Sequence, residues 1–271
     1  MRGGVGLRYG VLVLLTVMIL VPFVGIILAA LHPPGAQLDG LSIPDRWSWE
    51  SFALAWQQGN FTALMRSSVL IAVFVVPLSV VLATLAGFGL QILKVWGNKT
   101  LSFAFVMGLT LPIEVIVVAL YFNLREVGLT NSYTGIILAE AALFMPFGVY
   151  WMQTHFSNIP GELVEAARID GARDMVVLLR VLLPISWPAL TTLSVLYFMW
   201  SWNQFMLVLV MMQDPERRTA PGGLGLFVGQ YTTDIPLLAA ACLIVVAPIV
   251  VVYLIFQRSF VSGITQGAIK G

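Results

Sequence analysis

Charged residues are scarce in this 271-residue chain, and apolar residues dominate it. Only 10% of the residues are charged, 59% are hydrophobic, and the mean hydropathy is +0.93. Soluble domains average about 25% charged and 45–50% apolar residues, so this composition excludes both a soluble globular protein and a disordered one. The net charge of +1 excludes a nucleic-acid binder that relies on bulk positive charge.

Cysteine and histidine are nearly absent. The single cysteine, Cys242, cannot form an internal disulfide. The two histidines, His32 and His155, fall on opposite sides of the membrane in the predicted topology, so we expect no metal site. A G-x-x-x-x-G-K-[ST] loop is missing, which excludes ATP hydrolysis through that motif. A membrane-embedded enzyme is disfavoured because the chain offers no plausible nucleophile and base.

The sequence is dominated by long apolar runs. Six of them are apparent, at residues 11–31, 67–92, 101–122, 133–154, 186–211 and 237–257. A helix that crosses the hydrocarbon core needs about 20 residues, and lipid leaves no partner for open backbone groups. The sequence therefore predicts an all-α, polytopic membrane protein with six transmembrane helices. The first run is longer than a signal-peptide core of about 7–15 residues, which favours an uncleaved span.

The basic residues predict the orientation of these spans. With the N-terminus inside, nine Lys and Arg residues lie on the inner side and five lie on the outer side. Cytoplasmic loops carry the excess of Lys and Arg in membrane proteins. We therefore predict that both termini are cytoplasmic.

Two outer loops are long enough to form structure of their own. The loop 32–66 carries four aromatic residues at near-helical spacing, which predicts a short helix at the membrane interface; these residues are Trp47, Trp49, Phe52 and Trp56. The loop 212–236 carries several glycines, which indicate a flexible, turn-rich excursion.

Polar side chains inside the apolar runs are candidates for a translocation pathway. Glu114 and Glu140 lie in the third and fourth runs, where an acid costs about 2.5–3.5 kcal/mol unless it faces a cavity or a partner. A hydrogen bond between helices would explain them equally well. Asn203 and Gln204 interrupt the fifth run beside two tryptophans, which either stack on a sugar ring or pack in the bundle. Prolines that indicate kinks occur in several runs, at Pro77, Pro112, Pro146 and Pro248.

The most specific feature is a segment on the predicted cytoplasmic side. Glu165-Ala166-Ala167 favours a helix, and Gly171 indicates a bend. A second helical stretch over 172–183 then meets Pro184. A short helix, a bend and a second helix are suited to docking in a groove of another protein.

This segment resembles the EAA loop of binding-protein-dependent ABC importer permeases. The family pattern is EAA, three residues, G, nine residues and I-x-L-P, and only Val181 departs from it. The flanking residues resemble the maltose-type carbohydrate importers, and among them the second permease of the heterodimer; they lie at 128–133, 146–147, 156–163, 188–190, 202–205, 223–224 and 256–271. The resemblance runs from about Arg66 to the end of the chain. The first 60 residues match only as one span and an outer loop.

The resemblance implies a fold and a function. The fold is the type I ABC importer transmembrane domain, with an N-terminal part at 1–60, a permease core at 61–271 and a coupling loop at about 156–184. The function is that of a permease subunit in a prokaryotic cell membrane, which forms half of the pathway for a carbohydrate. The resemblance favours a di- or oligosaccharide as that carbohydrate. The chain itself is not an enzyme and binds no cofactor, because ATP and Mg²⁺ bind the partner ATPase.

The resemblance also implies partners and sites. The partners are a second, different permease, two ATP-binding subunits, an extracytoplasmic solute-binding protein and the lipid bilayer, without nucleic acid. Residues of the coupling loop that meet the ATPase are Glu165, Ala166, Ala167, Asp170 and Gly171. Candidates for the substrate pathway are Glu114, Glu140 and Asn203, and candidates for contact with the binding protein are Gly222, Gly223 and Gly225. An ion-coupled secondary transporter that uses Glu114 or Glu140 is the alternative, although no inverted repeat supports it.

Overall fold

The computed structural model describes residues 3–228 and 233–268, and this part of the chain is helical without a strand. Its α-helices are α1 (Gly3–Ala30), α2 (Glu50–Gln58), α3 (Phe61–Phe88), α4 (Asn98–Gly108), α5 (Ile113–Glu126), α6 (Tyr133–Ser157), α7 (Gly161–Ile169), α8 (Asp174–Val176), α9 (Leu183–Ile185), α10 (Trp187–Trp202), α11 (Met206–Met211), α12 (Ala220–Gly223) and α13 (Ile235–Ala268). Two π-helical segments, Gly89–Leu93 and Val177–Leu182, extend α3 and join α8 to α9.

Four of the six predicted spans are continuous helices. Segments long and apolar enough to cross a membrane are Arg8–Ala30, Phe61–Leu93, Tyr133–Ser157 and Ile235–Gln257. Each of these four helices contains a proline that does not interrupt it. Neighbouring side chains and local adjustments re-satisfy the backbone groups that a proline leaves open in a membrane helix.

The third predicted span is bent rather than straight. Its two halves, Asn98–Gly108 and Ile113–Glu126, meet at 106°. Pro112 has extended backbone angles and stands immediately before α5. Because proline has no N–H and fits the start of a helix, it ends one helical segment and begins the next. The predicted span over 101–122 is therefore a pair of helices joined by a bend rather than one straight helix.

The fifth predicted span, 186–211, is also broken. The helix α10 ends at Trp202 and α11 begins at Met206, while α10 meets the preceding segment Asp174–Ile185 at 79°. The amides stabilise the break: Asn203 Nδ2 donates to the Met199 carbonyl at 2.8 Å, and Gln204 Oε1 accepts from the Leu207 N–H at 3.4 Å. The described chain thus holds four candidate spans, or six if each bent pair is one span.

One compact unit combines Met1–Leu64 with Gly223–Pro248. The backbone N–H of Gly35 donates to Asp234 Oδ2 at 2.8 Å, and the rings of Phe61 and Phe227 stack with centroids 6.0 Å apart. These contacts join parts that are distant in sequence. The division at residue 60 that the resemblance implied stays a prediction.

The aromatic loop within this unit is helical only in part. The helix α2 contains Phe52 and Trp56, whereas Trp47 and Trp49 precede it. All three tryptophans are exposed. Exposed indoles are typical of the membrane–water interface, so the short interfacial helix remains the interpretation of this segment.

The second unit combines Met65–Gly222 with Ile249–Gly271, and α6 is central to it. The helix α3 packs closely on α6, because a Cβ at Gly87 would lie 2.8 Å from Met152 Cβ. Glycine permits such close approach of membrane helices. Ser132 caps the start of α6, since its hydroxyl accepts from the Gly135 N–H at 3.1 Å. Large, fully buried side chains of this unit include Ile71, Ile136, Met152, Phe156, Leu182, Leu193 and Tyr197.

Candidate coupling loop and translocation cavity

The predicted coupling loop has the helix–turn–helix geometry that its sequence indicated. The helix α7 ends at Ile169, and Gly171 has a φ of +81°. The Ala172 N–H donates to the Ala167 carbonyl at 2.9 Å, and the Gly171 N–H donates to the Arg168 carbonyl at 3.0 Å. These two bonds form a Schellman motif, which requires a left-handed residue such as glycine after the helix.

The second half of the loop packs against the first. Val164 of α7 and three residues after the turn, Val177, Leu178 and Leu182, are buried in one core. Arg168 and Asp174 form an ion pair at 3.0 Å across the turn. Both side chains are about half exposed, so this pair contributes little stability, and the apolar contacts hold the two halves together.

Four of the five predicted coupling residues are exposed on this loop: Glu165, Ala166, Asp170 and Gly171. Ala167 is half-buried and packs against the core instead. Ile169, which the sequence reasoning did not select, is 85% exposed. An apolar side chain this exposed at the end of a helix is available for burial against another protein.

A cavity of about 540 Å³ lies among α5, α6 and the end of α10. Its wall is mostly apolar and carries two amides at the break after α10. The lining residues are Gly108, Leu109, Leu111, Ile113, Ile116, Leu120, Ala142, Leu143, Phe144, Pro146, Phe147, Trp200, Asn203 and Gln204. A volume of this order suits a small-molecule ligand, and a few polar groups in an apolar wall are typical of such sites.

Of the three predicted pathway residues, only Asn203 lines this cavity. Glu114 lies in the first turn of α5 and is exposed, between the lining residues Ile113 and Ile116 in sequence. Glu140 is fully buried outside the wall. The structure therefore does not bring the two acids together with Asn203.

Glu140 belongs to α6, and its side chain faces Ser201 of α10. Ser201 of α10 is its polar neighbour, but neither carboxylate oxygen of Glu140 nor Ser201 Oγ meets hydrogen-bond geometry with a described residue. Burying an unpartnered polar group costs about 1–3 kcal/mol, and more when it is charged. The Glu140 carboxyl is thus a buried polar group that does not line the cavity.

The outer-loop glycines serve packing. Gly222 and Gly223 are buried, and a Cβ at Gly222 would lie 3.3 Å from Val208 Cγ1. A Cβ at Gly223 would collide with Leu64. Only Gly225, of the three predicted contacts for a binding protein, is exposed. The turn-rich part of the prediction is confirmed by short 3₁₀ helices at Pro215–Arg217 and Leu224–Phe227.

The sequence reasoning missed most of the cavity wall. Phe144 and Phe147 were not selected because apolar residues in a membrane helix carry no chemical signal. Two prolines could have indicated the position of the wall. Pro112 stands at the bend before α5, and Pro146 lies on the face of α6 that lines the cavity. Chain breaks at membrane depth are tolerated where they line a cavity.

The fold and these two sites define a class of protein. The chain is a polytopic helical membrane protein that combines a cavity among its helices with an exposed helix–turn–helix loop suited to another subunit. Such an architecture is that of a transport permease that depends on partner proteins.

Comparison with known proteins identifies the family. Residues 76–266 match the binding-protein-dependent transport system inner membrane component family, to which this chain belongs. A probable ABC transporter permease from Bacillus subtilis, YurM, is 35% identical over 85% of this chain and 76% of its own. The trehalose/maltose transport system permease MalG from Thermococcus litoralis is 30% identical over 96% and 94%, and the diacetylchitobiose uptake system permease NgcG from Streptomyces coelicolor is 28% identical over 97% and 88%.

A solved structure confirms the fold. The crystal structure of a bacterial ABC transporter involved in the import of the acidic polysaccharide alginate matches with a TM-score of 0.82 at 20% identity, covering 96% of this chain and 97% of the other. The type I importer fold that the resemblance implied is thereby supported across the whole molecule.

Family membership decides between the alternatives that the sequence left open. The chain is a multi-pass inner membrane permease subunit of an ABC importer, and it is a transport component rather than an enzyme. It works with a partner permease, an ATPase and a solute-binding protein. An ion-coupled secondary transporter that uses Glu114 or Glu140 is not supported.

Proposed function

We propose that this chain forms half of the translocation pathway of a carbohydrate importer, together with a second, different permease and two ATP-binding subunits. The relatives named for diacetylchitobiose, for trehalose and maltose, and for arabinooligosaccharides support a di- or oligosaccharide as substrate. ATP and Mg²⁺ would bind the ATPase subunits. This chain contributes the pathway wall and the loop that receives the ATPase motion.

The observation that carries the proposal is the composition of the cavity wall. Trp200 presents a large aromatic surface there, and Asn203 and Gln204 add amide donors and acceptors. A sugar offers apolar C–H faces and hydroxyl groups, which aromatic rings and amides bind respectively. An apolar wall with few polar groups binds the sugar weakly. Weak binding suits a translocation pathway, because the pathway must release the sugar.

The coupling loop completes the mechanism on the cytoplasmic side. The exposed Glu165 and Asp170 carry negative charge toward a basic surface of the ATPase, while Ile169 supplies an apolar anchor. When ATP binding closes the two ATPase subunits, the docked loop moves as one body because its two helices share a buried core. That movement would switch the pathway between inward-facing and outward-facing states.

The outer loop would receive the solute-binding protein. Since Gly222 and Gly223 are buried, the contact surface is better assigned to the exposed residues Gly225, Leu226 and Val228. The excess of basic residues on the opposite side supports a cytoplasmic location for the coupling loop and both termini in this proposal. Glu114 and Glu140 remain pathway candidates only for a transport state in which they reach the cavity.

Purification of the complex tests the proposal. Tagged chain extracted in mild detergent should bring with it a P-loop ATPase, a second six-span permease and a binding protein. Reconstituted with these partners, it should import a di- or oligosaccharide that the binding protein binds, and only with ATP. If the chain came out alone and carried solute without ATP, the proposal would be wrong.

The cavity assignment has its own test in the same vesicles. Asn203→Ala should raise the KM for the sugar about tenfold, because loss of one hydrogen bond costs about 1–1.5 kcal/mol. Asn98→Ala removes an amide outside the cavity and serves as the matched control. Equal kinetics for the two variants would show that Asn203 does not bind the sugar.

A further inference from the structure

Three side-chain hydrogen bonds join α6 to α10 along their antiparallel contact. The Tyr197 hydroxyl donates to the Phe144 carbonyl at 2.8 Å, and the Trp151 indole N–H donates to the Ala189 carbonyl at 3.1 Å. His155 Nε2 and Ser186 Oγ share a bond at 3.0 Å. Since the last two bonds lie near the C-terminal end of α6, they connect this end of α6 to the start of α10.

The coupling loop ends immediately before the start of α10. Ser186 stands at the 79° bend between Asp174–Ile185 and α10, and it is fully buried. Ala189 lies one turn further on, in the first turn of α10. The partners of Trp151 and His155 therefore lie close to the point where the coupling loop joins α10.

A ladder of aromatic rings leads from Trp151 to the cavity. The ring of Trp151 stacks on Phe147 with centroids 5.9 Å apart, and Phe147 meets Trp200 edge-on at 4.9 Å. Trp200 meets Phe144 at 5.7 Å. Phe144, Phe147 and Trp200 all belong to the cavity wall. Trp151 thus contacts the first turn of α10, which follows the coupling loop, through its N–H, and it contacts the cavity wall through its ring.

We infer that Trp151 is a positioning residue that holds the aromatic wall of the cavity to the start of α10, so that the wall moves when the coupling loop moves. The position of the Trp151 side chain is fixed by its N–H bond to α10 and by the contact of its ring with Phe147. An indole N–H in an apolar interior must keep its acceptor, because leaving it unsatisfied is costly, and the stacked ring must stay in van der Waals contact with Phe147. Packed aromatic contacts transmit a displacement because interiors are nearly incompressible.

This inference rests on the proposed function and adds a specific connection to it. The coupling loop and the cavity are separate sites, and Trp151 belongs to neither. A transport cycle requires that closure of the ATPase change the shape of the cavity. The contacts of Trp151 provide that link within a single side chain.

Trp151→Phe tests the link, because it removes the N–H and retains a ring that can stack on Phe147. In vesicles that contain the whole transporter and its binding protein, we expect sugar uptake to fall about five- to tenfold, the effect of one lost hydrogen bond. ATP hydrolysis stimulated by the binding protein should change less than twofold. The number of ATP molecules hydrolysed per sugar should therefore rise several-fold.

The matched control is Trp187→Phe, which removes an indole N–H from a 71% exposed tryptophan at the start of the same helix. It should leave the ratio of ATP to sugar unchanged. If Trp151→Phe does not assemble, Ser186→Ala removes the neighbouring bond at the same bend and should raise the ratio in the same direction.

Two results would overturn the inference. A purely structural Trp151 would lower the melting temperature and reduce uptake and ATP hydrolysis in equal proportion, with an unchanged ratio. An unchanged ratio of ATP hydrolysed to sugar imported in Ser186→Ala would also overturn the inference. If wild-type vesicles failed to import sugar, the proposed function would fail instead, so the two failures are distinguishable.

Discussion

Gly148 lies where three helices of the second unit meet, and it provides the sharpest test of their packing. A Cβ at this position would collide with the Tyr197 hydroxyl of α10 and lie 2.7 Å from Ala83 Cβ of α3. Ala83 and Tyr197 are fully buried, so neither has free space to move into. The variant Gly148→Ala should therefore displace Tyr197 and break its hydrogen bond to the Phe144 carbonyl.

The magnitude follows from three effects. Overpacking a core costs about 1–3 kcal/mol, and the lost hydrogen bond costs about 1 kcal/mol more. Alanine is better than glycine in a helix by about 1 kcal/mol, which offsets part of this cost. The net destabilisation is thus about 1–3 kcal/mol, or a fall of several degrees in melting temperature at this chain size.

A double-mutant cycle on the purified complex isolates the contact. Tyr197→Phe should destabilise the wild type by about 1 kcal/mol, but it should restore stability to Gly148→Ala because it removes the colliding oxygen. Gly89→Ala is the matched control, since a Cβ there meets nothing within 4 Å. Additive effects of Gly148→Ala and Tyr197→Phe would refute the packing argument.

Three further predictions concern the loops and the buried acid. Gly171→Ala should strain the left-handed turn by about 1–2 kcal/mol and weaken the coupling of ATP hydrolysis to sugar uptake. The control variant Gly161→Ala should keep the wild-type coupling, because a Cβ there meets nothing within 4 Å. Wild-type coupling in Gly171→Ala would contradict the role of the turn. Glu140→Gln should leave sugar affinity unchanged, because Glu140 lies outside the cavity wall; an altered KM would place it in the pathway. Ser132→Ala should cost about 1 kcal/mol in thermal stability through loss of the α6 cap, and an unchanged melting curve would contradict the capping bond.

Many features of this molecule were predictable because they depend on local sequence. The apolar runs predicted the membrane helices, since burial in lipid requires about 20 apolar residues in a row. The spacing from Glu165 to Pro184 predicted the helix–turn–helix of the coupling loop, because Gly171 can adopt the left-handed angle that the turn requires. The same spacing carried the family resemblance that the comparisons confirmed.

The two broken spans show the limit of this reasoning. Composition cannot separate a straight apolar helix from a bent one, so 101–122 and 186–211 were predicted as single helices. Prolines occur in straight and bent helices alike here: Pro146 lies inside the continuous α6, whereas Pro112 stands at a 106° bend. Whether a proline bends a helix depends on the neighbours that re-satisfy its backbone, and these are tertiary contacts.

The sequence by itself determined the class of protein, the positions of most spans and the coupling loop, because hydropathy and turn chemistry are properties of neighbouring residues. Only the tertiary structure decided which residues line the cavity. Asn203 lines the cavity, whereas the buried Glu140 and the exposed Glu114 do not, although all three are polar residues within apolar runs. Which face of a helix meets a cavity is set by its packing against other helices, and no local pattern records that choice.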